Sequence, residues 1–199
     1  MTGFRLDKGG LIERRQKINF RFNGQQVTGF KGDTIASALM ASGHMLVGRS
    51  FKYHRPRGIM SAGVEEGGAL FNTGDGAARV PNVKGTVTEI SEGLRVYSQN
   101  VFPSPGFDLG AVNGLIAPFI TAGFYYKTFM GPFANTKFWM LCERFIRRAA
   151  GLGQASREAD PSTYDIANGF CDALVIGSGP AGLTAAAGLA EKGLNVILV

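Results

Sequence analysis

Cysteine is scarce in this chain. Its 199 residues hold only Cys142 and Cys171, too few for a four-thiolate metal or iron–sulfur site and too isolated for a disulfide framework. Histidine is equally rare. His44 and His54 have no cysteine or acidic partner at ligand spacing, so no metal site is expected and both read as solvated. The opening MTGFRLDKGG lacks the apolar core of an export signal, which with the low cysteine content points to a reducing cytoplasm. Charge is sparse too, at 18% of residues, and although the net charge is +6 no nucleic-acid module matches, so no nucleic-acid partner is expected. Long hydrophobic runs are nearly missing. Residues 109–126 are uncharged and approach the length of a membrane span, but Asn113, Pro118 and several glycines favour a buried or interface segment, and no membrane segment is expected.

What is present reads as two kinds of structure in succession. Residues 18–22 and 26–30 alternate apolar and polar side chains around Asn23-Gly24, a hairpin signal because both turn positions tolerate positive φ. Asp33 is placed to cap a helix over residues 34–42, with Ile35, Ala38 and Leu39 on one face and Gly43 as terminator. Further strands are expected over 69–72, 83–90 and 94–98, the last two joined at Ser91-Glu92-Gly93. The order ββαβββ suits an α+β β-grasp domain resembling ubiquitin-like and plant-type ferredoxin folds. After Val101 the texture FPSPGFDLG reads as a linker. A helix is then expected over 138–150, with Met140, Leu141, Phe145 and Ile146 apolar, Arg144, Arg147 and Arg148 polar, and Gly151 and Gly153 ending it.

The last thirty residues carry the strongest motif. An apolar run over 172–176 reads as a parallel strand covered on both faces. It leads into Gly177, Ser178, Gly179, Pro180, Ala181 and Gly182, which match G-x-G-x-x-G. In that motif the first glycine makes the tight turn, the second lets amides approach a diphosphate, and the third lets the helix pack close to its strand. Pro180 suits the first helical turn, residues 183–192 continue the helix, Gly193 caps it, and 195–199 form a second strand. The six residues 177–182 are therefore the candidate cofactor-binding site, for a dinucleotide that is either NAD or FAD. One βαβ unit cannot bury its own sheet, so the chain is expected to be the amino-terminal part of a longer polypeptide.

Several stretches, GGLIERRQKINFRFNG, GDTIASALMASG, VGRSFKYHRPRGIMSAGVEEGGALF, TAGFYYKTFM, FIRRAAGLG and CDALVIGSGPAGLTAA, together resemble the alpha subunits of heterotetrameric sarcosine oxidases. The middle stretch is also similar to large subunits of amine, opine and proline dehydrogenases. The resemblance implies a complex of alpha, beta, gamma and delta subunits that demethylates sarcosine oxidatively to glycine, using O2 and tetrahydrofolate and releasing H2O2 and 5,10-methylenetetrahydrofolate. It implies NAD at the glycine loop, FAD and FMN elsewhere in the complex, and sarcosine and folate sites outside these residues. No catalytic residue is assigned to this part, which is expected to be inactive alone.

Relatives with a cluster place C-x4-C-x2-C after a similar PRG stretch. That pattern falls here on Ser61, Glu66 and Ala69, none a thiolate, so the first domain is expected to keep the ferredoxin-like shape without an iron–sulfur cluster. Glu65 and Glu66 read as surface or partner-contact residues rather than an acid/base pair. Arg55 and Arg57, within the basic cluster Arg49, Lys52, His54, Arg55 and Arg57 and flanked by Phe51, Tyr53 and Pro56, read as partner anchors. The expected division is a β-grasp domain over residues 1–100, a linker with a helical segment over 101–168, and the incomplete start of an α/β Rossmann-type dinucleotide-binding domain over 169–199. Two alternatives stand beside this reading: an FAD-binding large subunit of an opine, proline or other amine dehydrogenase, and a non-catalytic binding module.

Overall fold

Asn23 and Gly24 take positive φ (48° and 84°) in a computed structural model that describes residues 4–115, 117–119, 136–149 and 151–199. Their left-handed backbone matches the twist of the flanking strands, which is why Asn-Gly favours the two-residue hairpin. The hairpin joins β1 (Glu13–Phe22) to β2 (Gln25–Lys31), longer strands than alternation alone predicts. Phe20, Phe22 and Val27 point into the core, and the ring of Phe22 meets Phe71 edge to face at 5.9 Å.

Helix α1 (Ile35–Ala41) covers this face with Ile35, Ala36, Ala38 and Leu39. Its cap differs from the expectation. Thr34, not Asp33, is the N-cap, and its hydroxyl accepts from Ser37 N while Ser37 Oγ accepts from Thr34 N. Asp33 is instead buried, accepting from Phe30 N (2.8 Å), Ser37 Oγ (2.8 Å) and both terminal nitrogens of Arg5 (3.1 and 2.6 Å). Its carboxylate thus ties the end of β2, the start of α1 and the amino-terminal segment together. Asp33→Ala leaves a guanidinium and a partly buried amide without their acceptor, so the domain is expected to lose about 3 kcal/mol of stability. Denaturant unfolding of the full-length protein, followed by amide exchange over residues 30–41, measures this; an unshifted transition contradicts it.

The rest of the domain is β3 (Gly48–Arg49), β4 (Pro56–Arg57), β5 (Leu70–Thr73), β6 (Val80–Lys84) and β7 (Arg95–Ser98). Five strands form a mixed sheet in the order β2-β1-β7-β5-β6, with β1 and β7 parallel, and β3 and β4 form a separate ribbon. Two parallel central strands with a hairpin on one side and a covering helix give the β-grasp arrangement. One expectation fails here. Strand 83–90 was to pair with 94–98 through Ser91-Glu92-Gly93, but β6 ends at Lys84 and lies beside β5. The reason is the start of α1: Ile35 N and Ala36 N donate to Thr88 O and Gly85 O (2.9 and 2.8 Å), so these carbonyls serve orphan helix amides instead of a ladder.

Helix α2 (Thr136–Ala149) follows the expected spacing, with an Arg147–Glu143 pair one turn apart (2.6 Å) and Phe138, Met140, Leu141 and Phe145 exposed. The stretch TAGFYYKTFM and much of the uncharged segment 109–126 lie outside the described residues. Among the described residues no helix is long and apolar enough to cross a membrane. The chain divides into two compact units, Met1–Pro161 and Ser162–Val199. The second holds β8 (Ala173–Val175), α3 (Pro180–Ala190) and β9 (Val196–Leu198), with β8 and β9 parallel in the register Ala173↔Val196 to Val175↔Leu198.

Candidate functional site

The candidate residues 177–182 occupy the turn from β8 into α3. Gly177 has φ 102°, a conformation that L side chains avoid, and turns the chain off the strand. Ser178 is exposed in the turn, Gly179 is the N-cap in extended conformation, and Pro180 starts the helix. No side chain caps this end. The first-turn amides are therefore left for an external acceptor, and the helix dipole adds partial positive charge there. Gly182 faces back toward the strand, where an added Cβ would overlap the carbonyl oxygen of Gly177. Around Gly179, by contrast, an added Cβ meets no protein atom within 4 Å, so the turn is open where amides converge. At the far end Gly193 (φ 82°) ends the helix and donates to Ala190 O (2.9 Å).

In the first unit, loop 58–69 is organised by a residue misread from the sequence. Glu66 is 4% exposed, not a surface acid, and its Oε2 accepts from Met60 N and Ser61 N (both 2.6 Å) while Oε1 accepts from Gly68 N (2.5 Å). Burial pushes its pKa up; the amides of Gly68, Ser61 and Met60 outweigh that and hold it below the ordinary glutamate value. Neighbouring Glu65 is exposed, so the two carboxylates have separate environments. The signal available in the sequence was the run Glu66-Gly67-Gly68, in which small residues let the backbone fold around an acid.

His54 also departs from the solvated reading. Its Nδ1 lies 2.6 Å from Asp108 Oδ2, and Asp108 further accepts from Phe102 N (2.9 Å) and Gly110 N (3.2 Å). Burial raises the Asp108 pKa, while Phe102 N, His54 and Gly110 N outweigh it and leave it lowered. His44 packs edge to face on Phe22 at 5.5 Å. Ser61 is half-buried and Ala69 lies in the core. Among the described residues, no group of three histidine, cysteine or acidic side chains is placed to hold a metal ion.

Fold and loop together define a β-grasp domain in a chain that also carries a βαβ unit with a glycine turn. Residues 15–101 match the profile of a 2Fe-2S iron-sulfur cluster binding domain, and residues 172–199 match an FAD binding domain. Over its whole length the chain is similar to sarcosine oxidase alpha subunits. It is 54% identical over 200 aligned residues to sarcosine oxidase subunit alpha of Rhizobium meliloti (strain 1021), covering 100% of this chain and 20% of that protein. With the subunit alpha of Corynebacterium sp. (strain U-96) it shares 31% over 96% of this chain and 15% of that protein. The chain thus spans about a fifth or less of the curated relatives it matches. Among solved structures, L-proline dehydrogenase from P. horikoshii matches with TM-score 0.40 and 15% identity, over 97% of this chain and 25% of that one.

These matches correct the cofactor expectation. Residues 172–199 match an FAD binding domain where NAD was expected, and residues 15–101 match a 2Fe-2S iron-sulfur cluster binding domain where no cluster was expected. The glycine turn reads only a diphosphate, which both nucleotides carry, so it could not separate them. The residues of the glycine turn fit an FAD diphosphate, because amides and space meet at Gly179. Those of loop 58–69 do not fit thiolate ligation: both cysteines lie outside residues 15–101, and the Glu66 carboxylate is engaged by main-chain amides.

Proposed function

We propose that this chain is part of the large subunit of an amine-oxidising flavoenzyme complex of the sarcosine oxidase type, with its glycine turn receiving the diphosphate of FAD. The observation that carries the reading is the uncapped start of α3 behind Gly177 and Gly179. In this reading residues 1–100 form a β-grasp scaffold, 101–168 connect, and 169–199 begin a Rossmann-type nucleotide domain. The amides at the start of α3 bind and orient the diphosphate, and Gly182 keeps the helix against β8. FAD bound there supplies two-electron redox chemistry. The complex contains further subunits, beta, gamma and delta, and oxidises the N-methyl group of sarcosine to yield glycine and a one-carbon unit, with O2 reduced to H2O2. The identity of 54% with a sarcosine oxidase subunit supports that substrate. The match to an FAD binding domain also favours a second reading, a large subunit of an opine, proline or other amine dehydrogenase. Free thiols at Cys142 and Cys171 suit a cytoplasmic, reducing setting.

The experiment is to purify the full-length protein with its associated subunits, denature it and identify the nucleotides by mass, and to assay the native preparation with sarcosine, proline and opines. FAD in the separated large subunit and sarcosine-dependent H2O2 are expected. A large subunit without flavin removes the nucleotide assignment; turnover confined to proline or an opine shifts the substrate.

A further inference from the structure

Residues 48–57 carry four cations, Arg49, Lys52, Arg55 and Arg57, and no acid, in a chain whose net charge is +6. They form the β3–β4 ribbon, paired Gly48↔Arg57 and Arg49↔Pro56. The ribbon is latched to neighbouring segments of its domain. Arg49 donates Nε and Nη2 to Pro105 O (2.8 and 2.5 Å) and Nη1 to His54 O (3.1 Å), His54 meets Asp108, and Asn100 Nδ2 donates to Ser50 O (2.8 Å). A backbone already held this way loses little conformational freedom when something binds to it.

Its remaining side chains are mostly basic and aromatic. Arg55 and Arg57 are exposed, the Arg55 guanidinium stands 4.8 Å over the Tyr53 ring, and Phe51 is 46% exposed. Arg49, Phe51, Lys52 and Arg57 line an open groove of about 630 Å³ that Glu65 and Glu66 also line. Neither Arg55 nor Arg57 forms an ion pair among the described residues. Arginine forks beside aromatic rings are a composition that interface centres favour, and their planar donors match carboxylates in pairs.

We propose that the ribbon is the docking site for an acidic, extended segment of another subunit, two of whose carboxylates seat on Arg55 and Arg57. The proposal rests on the multi-subunit reading above. Extended chain advances about 3.3 Å per residue, so arginines two residues apart match acids two residues apart on a strand. Glu65, which lines the same groove, disfavours acids placed there.

The test uses the intact complex. With Arg55→Glu plus Arg57→Glu, the partner subunit is expected to dissociate at least tenfold more readily at low salt, while FAD in the large subunit is unchanged. With Arg55→Lys plus Arg57→Lys, which keeps the charge, the complex should persist, and carbodiimide treatment should join the new amines to aspartate or glutamate of another subunit. Unchanged subunit ratios in the charge-reversed variant overturn the docking site alone. So do cross-links confined to this chain, or a phosphate or oligonucleotide probe that binds through these arginines while the subunit ratio stays fixed. A full-length protein that purifies with no other subunit overturns this proposal and the multi-subunit reading together.

Discussion

Replacing Glu66 by alanine is expected to release loop 58–69 and lower the stability of the β-grasp domain by about 3 kcal/mol. Three main-chain amides, those of Met60, Ser61 and Gly68, end on this one buried carboxylate. Each buried donor left without an acceptor costs roughly 1–3 kcal/mol, and water entering the opened loop recovers part of the sum. Glu66→Gln is a sharper probe. With its carbonyl oxygen turned to Met60 N and Ser61 N, its NH2 faces Gly68 N as a second donor, so one contact becomes repulsive while shape is kept. Amide exchange over residues 58–69 in the full-length protein should speed up in both variants, more in alanine. The same carboxylate gives a pH signature. Its folded-state pKa is lowered, so its contribution is complete above the ordinary glutamate value of about 4.3 and is lost as pH falls through the lowered value. Acid should therefore destabilise the native protein more steeply over that range than Glu66→Gln. Unaltered exchange in Glu66→Ala would falsify the organising role.

If the glycine turn holds FAD as proposed, Gly182→Ala is expected to abolish its stable retention. The methyl group would overlap the carbonyl oxygen of Gly177, and main chain cannot swing aside as a side chain can, so α3 must shift away from β8. Charge-assisted hydrogen bonds are worth about 1.5–3 kcal/mol each. Losing two of them corresponds to affinity lower by roughly 100-fold or more. Two further substitutions separate packing from ligand contact. Gly188→Ala lies in the same helix with nothing within 4 Å of its Cβ; it should fold normally and keep FAD. Gly179→Ala also meets no protein atom, and its φ of −70° accepts alanine. It should leave stability unchanged yet reduce FAD occupancy, because the methyl group takes the space where a diphosphate would approach. Flavin content per chain after gel filtration, alongside thermal unfolding, reads all three. Full FAD occupancy in both Gly179→Ala and Gly182→Ala would remove the glycine turn from the binding site.

Features set by neighbours in the chain were legible from the residues. Asn23-Gly24 and the alternation around it predict the first hairpin, the apolar spacing after Thr34 predicts α1, and the order of strand, glycines, proline and alanine-rich helix predicts the βαβ unit. The strand ending at Lys84 was misjudged for a different reason. Its continuation, Val87 to Ile90, has β-forming residues, and only the unpaired amides at the start of α1 explain why their carbonyls turn elsewhere. In sequence Asp33 reads as a helix cap and Glu66 as a surface or partner-contact acid. They are buried because the donors that satisfy them, Arg5 for one and the amides of residues 60, 61 and 68 for the other, are brought round by the fold.

By itself the sequence determined the local geometry: where the chain turns, where helices lie, and that a glycine turn opens the last helix. Backbone preferences and residue periodicity act over a few positions, so they can be read without a structure. Tertiary structure alone decided that β7 lies between β1 and β5, that His54 meets Asp108 across 54 positions, and that one glutamate gathers a loop around itself. Those outcomes depend on which buried polar groups find partners once the core has closed, and that choice is made in space rather than along the chain.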